Sequence, residues 1–128
     1  MSTAKRLSAA DVMTRRVVTA QPNDDVSRIA SEMERHNIGS VIIVEKGKVV
    51  GILTERDFVR IVEQVGVLLN KNLARHHMAK PVVSVRSDTS LLDIIKLMKE
   101  KHVRHVVVVD ENEKAAGVMS SRDLIKVT

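Results

Sequence analysis

The residues best suited to chemistry in this sequence are two hydroxyl–carboxylate pairs, Thr54 with Asp57 and Ser120 with Asp123. Each pair ends the same heptapeptide pattern: Gly51-Ile52-Leu53-Thr54-Glu55-Arg56-Asp57 and Gly117-Val118-Met119-Ser120-Ser121-Arg122-Asp123. A glycine and two apolar residues running into a hydroxyl, with a carboxylate three positions on, read as a strand passing directly into a helix. Residues so spaced have two uses. They can cap the helix N-terminus. Alternatively, a carboxylate at the helix mouth, one turn from a hydroxyl, can accept hydrogen bonds from the vicinal diol of a sugar. The second pair is preceded by His102-Val103-Arg104-His105, cations suited to an anionic group, where the first has Asn37-Ile38-Gly39-Ser40. His102 and His105 could be read as a metal pair, but they lack an accompanying cysteine or carboxylate, so no metal is expected. His76 and His77 read as surface or packing residues. No nucleophile–base pair, glycine-rich phosphate loop or carboxylate dyad is recognisable, so no catalytic residue is assigned.

The elements that must position these pairs are also written twice. Val26, Ile29, Ala30 and Met33 have the spacing of one buried helix face, and Leu91, Ile94, Ile95 and Met98 repeat it 65 positions later. The runs Val41 to Val44 and Val106 to Val109 keep that offset. One residue is then added between Asp110 and Ala116, so that Asp57 matches Asp123 at an offset of 66. Helix face, strand run and junction keep one order in both halves, which marks two homologous units.

Each unit reads β-α-β-β-α. In the first, Ser8 caps a short lead-in helix and Val17 to Thr19 is a strand. Asn23 caps a helix to about His36, and Val41 to Val44 is a buried strand. A turn at Glu45 to Lys48 leads to the strand Val49 to Leu53, and the next helix has Phe58, Ile61 and Val62 on its inner side. In the second, Arg75 to Ala79 is the lead-in and Val82 to Val85 the strand. Asp88 caps the helix to about Lys101, the strands are Val106 to Val109 and Ala115 to Met119, and a short helix starts at Ser121. The lead-in of the first unit is placed to fill the position that the cut-off last helix leaves. The predicted division is 8–64, a packed join 65–75 and 76–128. A three-stranded sheet cannot hide its apolar face alone, so the expected fold is α+β, two β-α-β-β-α units packed about a pseudo-twofold.

At 128 residues the two units are marginal separately and should share a core. With one aromatic residue, Phe58, and no Trp or Tyr, stacking on single-stranded nucleic acid has little support. The net charge of +5 invites an anion, but Lys and Arg are spread along the chain rather than blocked. Absence of cysteine excludes disulfides and thiolate chemistry. With no apolar run near the roughly 20 residues of a membrane span and no signal-peptide core at the N-terminus, a cytoplasmic location is the expectation.

The order Val12-Met13-Thr14, Val17-Val18-Thr19, amphipathic helix, Gly39-Ser40-Val41-Ile42-Ile43-Val44 and Gly51 to Asp57, then all of it again, resembles a tandem cystathionine-β-synthase (CBS) domain pair. The resemblance covers nearly the whole chain and implies a regulatory module. Such modules bind AMP, ADP, ATP or S-adenosylmethionine between their two units, commonly form homodimers, and modulate an effector protein. Here it implies a stand-alone pair that requires no cofactor. Carried over by position, Asp123 takes the ribose diol, Ser120 supports it, and Arg104 and His105 contact phosphate. Val118, Thr19 and Ala20 then wall this main site. Asp57 and Thr54, walled by Ile52, Ser84 and Val85, form a second and weaker site, because Gly39-Ser40 replaces the basic pair. The alternative is a basic nucleic-acid-binding or dimeric scaffolding protein.

Overall fold

The computed structural model describes residues 7–66 and 72–126. The apolar join residues Val67, Leu68 and Leu69 lie outside them. The elements, in chain order, are α1 (Ala9–Val12), β1 (Thr19–Ala20), α2 (Val26–His36), β2 (Ser40–Glu45), β3 (Lys48–Thr54) and α3 (Glu55–Val65). They are followed by α4 (Ala74–His77), β4 (Ser84–Arg86), α5 (Leu91–Lys101), β5 (His105–Val109), β6 (Ala115–Ser120) and α6 (Ser121–Ile125). The architecture is α+β with two three-stranded sheets, ordered β1-β2-β3 and β4-β5-β6. In each, the first strand pairs parallel with the second across the intervening helix, and the second pairs antiparallel with the third.

The helical stripes bury as their spacing predicts. Val26, Ile29 and Met33 of α2 pack with Val41, Ile43 and Leu53, and Leu91, Ile94 and Met98 of α5 pack with Val106, Val108 and Met119. Each fully buried aliphatic side chain of this size contributes about 1.5–3 kcal/mol. Both helices end on a left-handed residue, Asn37 and His102, with φ of 52° and 56°. The N–H groups of the following Ile38 and Val103 return to the carbonyls of Met33 and Met98, both at 3.0 Å. His102 therefore serves as a helix terminator.

The N-caps differ from the expected ones. Asn23 and Asp88 do not cap; Asp25 and Ser90 do. A turn intervenes in each case. The Asp24 carboxylate accepts the Gln21 N–H at 2.8 Å, and the Thr89 hydroxyl accepts the Arg86 N–H at 3.1 Å, so the chain is not free to become helical until after them. Asn23 instead accepts the Arg75 guanidinium at 2.6 Å. Val62 is a second correction. It is exposed, as are Val59 and Val65, because the narrow inner face of α3 is filled by Ile61 with Phe58 beside it.

The two hairpins explain the added residue. In the first, Lys46 and Gly47 form a two-residue turn with φ of 53° and 80°, the primed geometry that matches strand twist. In the second, Asp110 and Lys114 pair and three residues lie between them, Glu113 in the left-handed position at φ 65°. The Asp110 carboxylate closes this loop by accepting the N–H groups of Asn112 and Lys114 at 2.8 and 3.0 Å. Those bonds, Lys114 first, hold the Asp110 pKa below its usual value.

The compact units are not the sequence repeats. One spans Val18–Val82; the other joins the segment ending at Val17 to the residues from Val83 onward. Each repeat has handed its lead-in helix to the other. Thr14 pairs antiparallel with Val118, and Ala79 pairs with Ile52. Ala9, on α1, is buried in the core of α5, β5 and β6, while Ala74, on α4, is buried in that of α2, β2 and β3. α1 does lie in the unit of the short α6, but filling a gap is not the reason, because α4 does the same beside the longer α3.

Candidate functional site

Both junctions adopt one local geometry. Thr54 and Ser120 are extended, with φ/ψ of −118°/168° and −121°/167°, and stand as the N-caps of α3 and α6. The N–H of Thr54 donates to Asp57 Oδ2 at 2.8 Å, and that of Ser120 to Asp123 Oδ2 at 2.8 Å. The first N–H of each helix is taken by a carbonyl from the residue before the central strand: Glu55 by Gly39 at 3.1 Å and Ser121 by Arg104 at 2.9 Å. The capping use of the pair is thus present in both. Each carboxylate still keeps a second oxygen on the outer side of the cap.

That outer oxygen meets a cation one turn along in both copies. Arg60 approaches Asp57 Oδ1 at 3.2 Å, and Lys126 approaches Asp123 Oδ1 at 3.5 Å. Arg60 also donates to the His77 carbonyl at 3.0 Å. Burial lowers the pKa of His77, and Arg60 and then His76 lower it further, while Asp57 opposes them. Asp123 is the buried charged side chain among the described residues, at 6% exposure.

Strand register decides which of the expected residues share a face. Thr19 stands opposite Ile42, which stands opposite Ile52, and Ser40 opposite Thr54, so Thr19, Ile52 and Thr54 lie on one face of their sheet. By the same register Ser84, Val118, His105 and Ser120 share the corresponding face of theirs. This is the face turned away from the helices, because Val41, Ile43, Leu53, Val106 and Val108 on the other face pack against them. Ala20 and Val85 fall on the helix-facing side, Val85 inside the core and Ala20 packed against it. Arg104 is exposed, and its backbone is tied to the mouth of α6.

The expected sets regroup by compact unit. Asp57, Thr54, Ile52, Thr19 and Ala20 belong to one; Asp123, Ser120, Val118, Arg104, His105, Ser84 and Val85 belong to the other. Thr19 and Ala20 also line a depression of about 200 Å³ with Asp24, Arg28, Ile29 and Glu32. Sequence reasoning missed Arg60 and Lys126. Their identical spacing from the two aspartates was the signal that could have found them.

Among the described residues no helix is long and apolar enough to cross a membrane, and no group of three His, Cys, Asp or Glu side chains is placed to hold a metal. A family model for the CBS domain matches residues 9–64 and again 73–128. The chain is 37% identical over 124 residues to protein MK0525 of Methanopyrus kandleri, an alignment covering 96% of this chain and 63% of that protein. It is 32% identical over 117 residues to the CBS domain-containing protein YhcV of Bacillus subtilis, covering 91% of this chain and 82% of that one. Among solved structures it is similar to the CBS domain pair of protein MJ0100 in complex with 5′-methylthioadenosine and S-adenosyl-L-methionine. The TM-score is 0.83 at 26% identity, covering 94% of this chain and 98% of that one. Two domain matches over one duplicated fold place the chain in the CBS domain family, as a tandem pair.

Proposed function

We propose that this CBS pair is a regulatory module that binds an adenosyl ligand, AMP, ADP, ATP or S-adenosylmethionine, and modulates an effector protein. The observation that carries the reading is the Asp123 junction. A buried carboxylate is fixed by a backbone N–H through Oδ2, and among the described residues its other oxygen meets a lysine whose side chain is 74% exposed. A ribose diol offers two O–H donors to such a group and gains charge-assisted hydrogen bonds. Arg104 supplies positive charge, and His105, opposite Ser120, a ring nitrogen, for a phosphate or carboxylate on the same ligand. The Asp57 junction offers the weaker site. The adenosyl compounds in the MJ0100 pair support this ligand class. The role is binding rather than catalysis, and self-association through the exposed Val59, Val62 and Val65 of α3 fits the reading.

Thermal shift tests it. AMP, ATP and S-adenosylmethionine are compared with duplex DNA at two salt concentrations. A ligand at about a hundred times its dissociation constant stabilises by about 2.7 kcal/mol. A rise in melting temperature with an adenosyl compound supports the reading; a salt-sensitive rise with DNA alone replaces it with nucleic-acid binding.

A further inference from the structure

We propose that Arg60 is the residue that sets the two junctions apart, latching Asp57 against an incoming diol. This rests on the adenosyl-binding reading above and adds to it a cause for unequal sites. A carboxylate offers about four lone-pair positions. At Asp57, Oδ2 accepts both the N–H and the hydroxyl of Thr54, at 2.8 and 3.1 Å, and Oδ1 accepts Arg60 at 3.2 Å. Three donors are therefore in place. At Asp123 the hydrogen bond to Oδ2 comes from the Ser120 N–H, and Oδ1 has the Lys126 ammonium at 3.5 Å.

The two cations also differ in how they are held. Arg60 Nη2 is shared between two acceptors, Asp57 Oδ1 at 3.2 Å and the His77 carbonyl at 3.0 Å, and the side chain is 44% exposed. Two acceptors on one nitrogen of a rigid, planar guanidinium hold it in place. Lys126 is a single point charge on a flexible stem, 74% exposed. A diol arriving at Asp123 displaces a hydrated lysine. At Asp57 it must displace a guanidinium nitrogen that the His77 carbonyl also holds in place. Because His77 ends α4, the latch also fastens the first turn of α3 to the exchanged lead-in.

AMP titrated calorimetrically into wild type, Arg60→Ala, Arg60→Lys and the double variant Arg60→Ala/Asp57→Asn tests this. The expected result is at least a tenfold gain in affinity at the weaker site, or a second molecule bound per chain, in Arg60→Ala. A smaller gain is expected in Arg60→Lys, which keeps the charge but not the rigid planar donor and guards against a folding defect. The double variant is expected to lose the gain. Unchanged or weakened binding in Arg60→Ala overturns the proposal, whether or not wild type binds; weakening would make Arg60 a ligand contact instead. The adenosyl reading stands or falls separately, on whether wild-type binding is lost in Asp123→Asn.

Discussion

Met13 sits on the bare backbone of Gly117: a Cβ added to that glycine would stand 2.7 Å from the methionine sulfur and 2.9 Å from the Thr14 carbonyl oxygen. Gly51 faces Met78 in the same way, in direct contact with its side chain. These two glycines open the signature heptapeptides. Their absent side chains leave room for the exchanged lead-ins to lie across β3 and β6. The exchange is therefore written into the junctions themselves, and the proposed ligand chemistry and the exchange of lead-ins share one stretch of chain.

Gly117→Ala should destabilise more than Gly51→Ala. The first meets a backbone oxygen that is itself hydrogen-bonded to Val118 at 3.0 Å, whereas the three atoms nearest the second all belong to the Met78 side chain. Overpacking of this kind costs about 1–3 kcal/mol. Urea denaturation of both variants measures it, and Met78→Ala should relieve Gly51→Ala. Equal costs would mean that Thr14 yields as easily as a side chain.

Ser90→Ala should cost about 1 kcal/mol. The Ser90 hydroxyl accepts the Asp93 N–H at 3.2 Å. Urea denaturation measures it, and an unchanged midpoint would remove this bond from the account.

The pH dependence has a definite sign at His77. Its pKa is lowered in the folded state, so as pH falls the unfolded chain binds that proton first. Stability should decline as pH drops through the usual value of 6.5 and level off below the folded value. Melting temperatures of wild type and His77→Gln between about pH 7.5 and about pH 5.5 isolate this contribution. The variant should show the flatter profile, and parallel profiles would remove His77 from the account.

Self-association through α3 predicts that Val59→Glu/Val62→Glu lowers the mass seen in analytical ultracentrifugation to that of a single chain. Val59 is 61% exposed, so the substitutions leave the Ile61 core untouched. An unaltered oligomer would place the contact elsewhere.

The duplicated pattern made much of this architecture legible. Val26, Ile29 and Met33 announce their helix because burial has a period of 3.6 residues, and β-branched runs such as Val106 to Val109 announce buried strands. The junction pairs stood out because they occur twice at one offset. Less legible was whatever depended on a partner distant in sequence. Asn23 looks like a cap until Arg75 claims its side chain. The exchange of lead-ins depends on Met13 and Met78 filling space above Gly117 and Gly51, a steric match that no periodicity displays. Val62 has a core residue's chemistry and lies outward, because Ile61 and Phe58 already fill the inner face. Thr19 and Ser84 took their places only once the strand register was known.

The central claim is that the carboxylate at position 123 grips an adenosyl ligand by its sugar. Calorimetric titration of AMP into wild type and Asp123→Asn tests it most directly, with thermal unfolding confirming that the variant is folded. Loss of charge-assisted bonds worth about 1.5–3 kcal/mol predicts an affinity at least tenfold weaker in the variant. An unchanged dissociation constant would contradict the account and leave Asp123 as a helix cap alone.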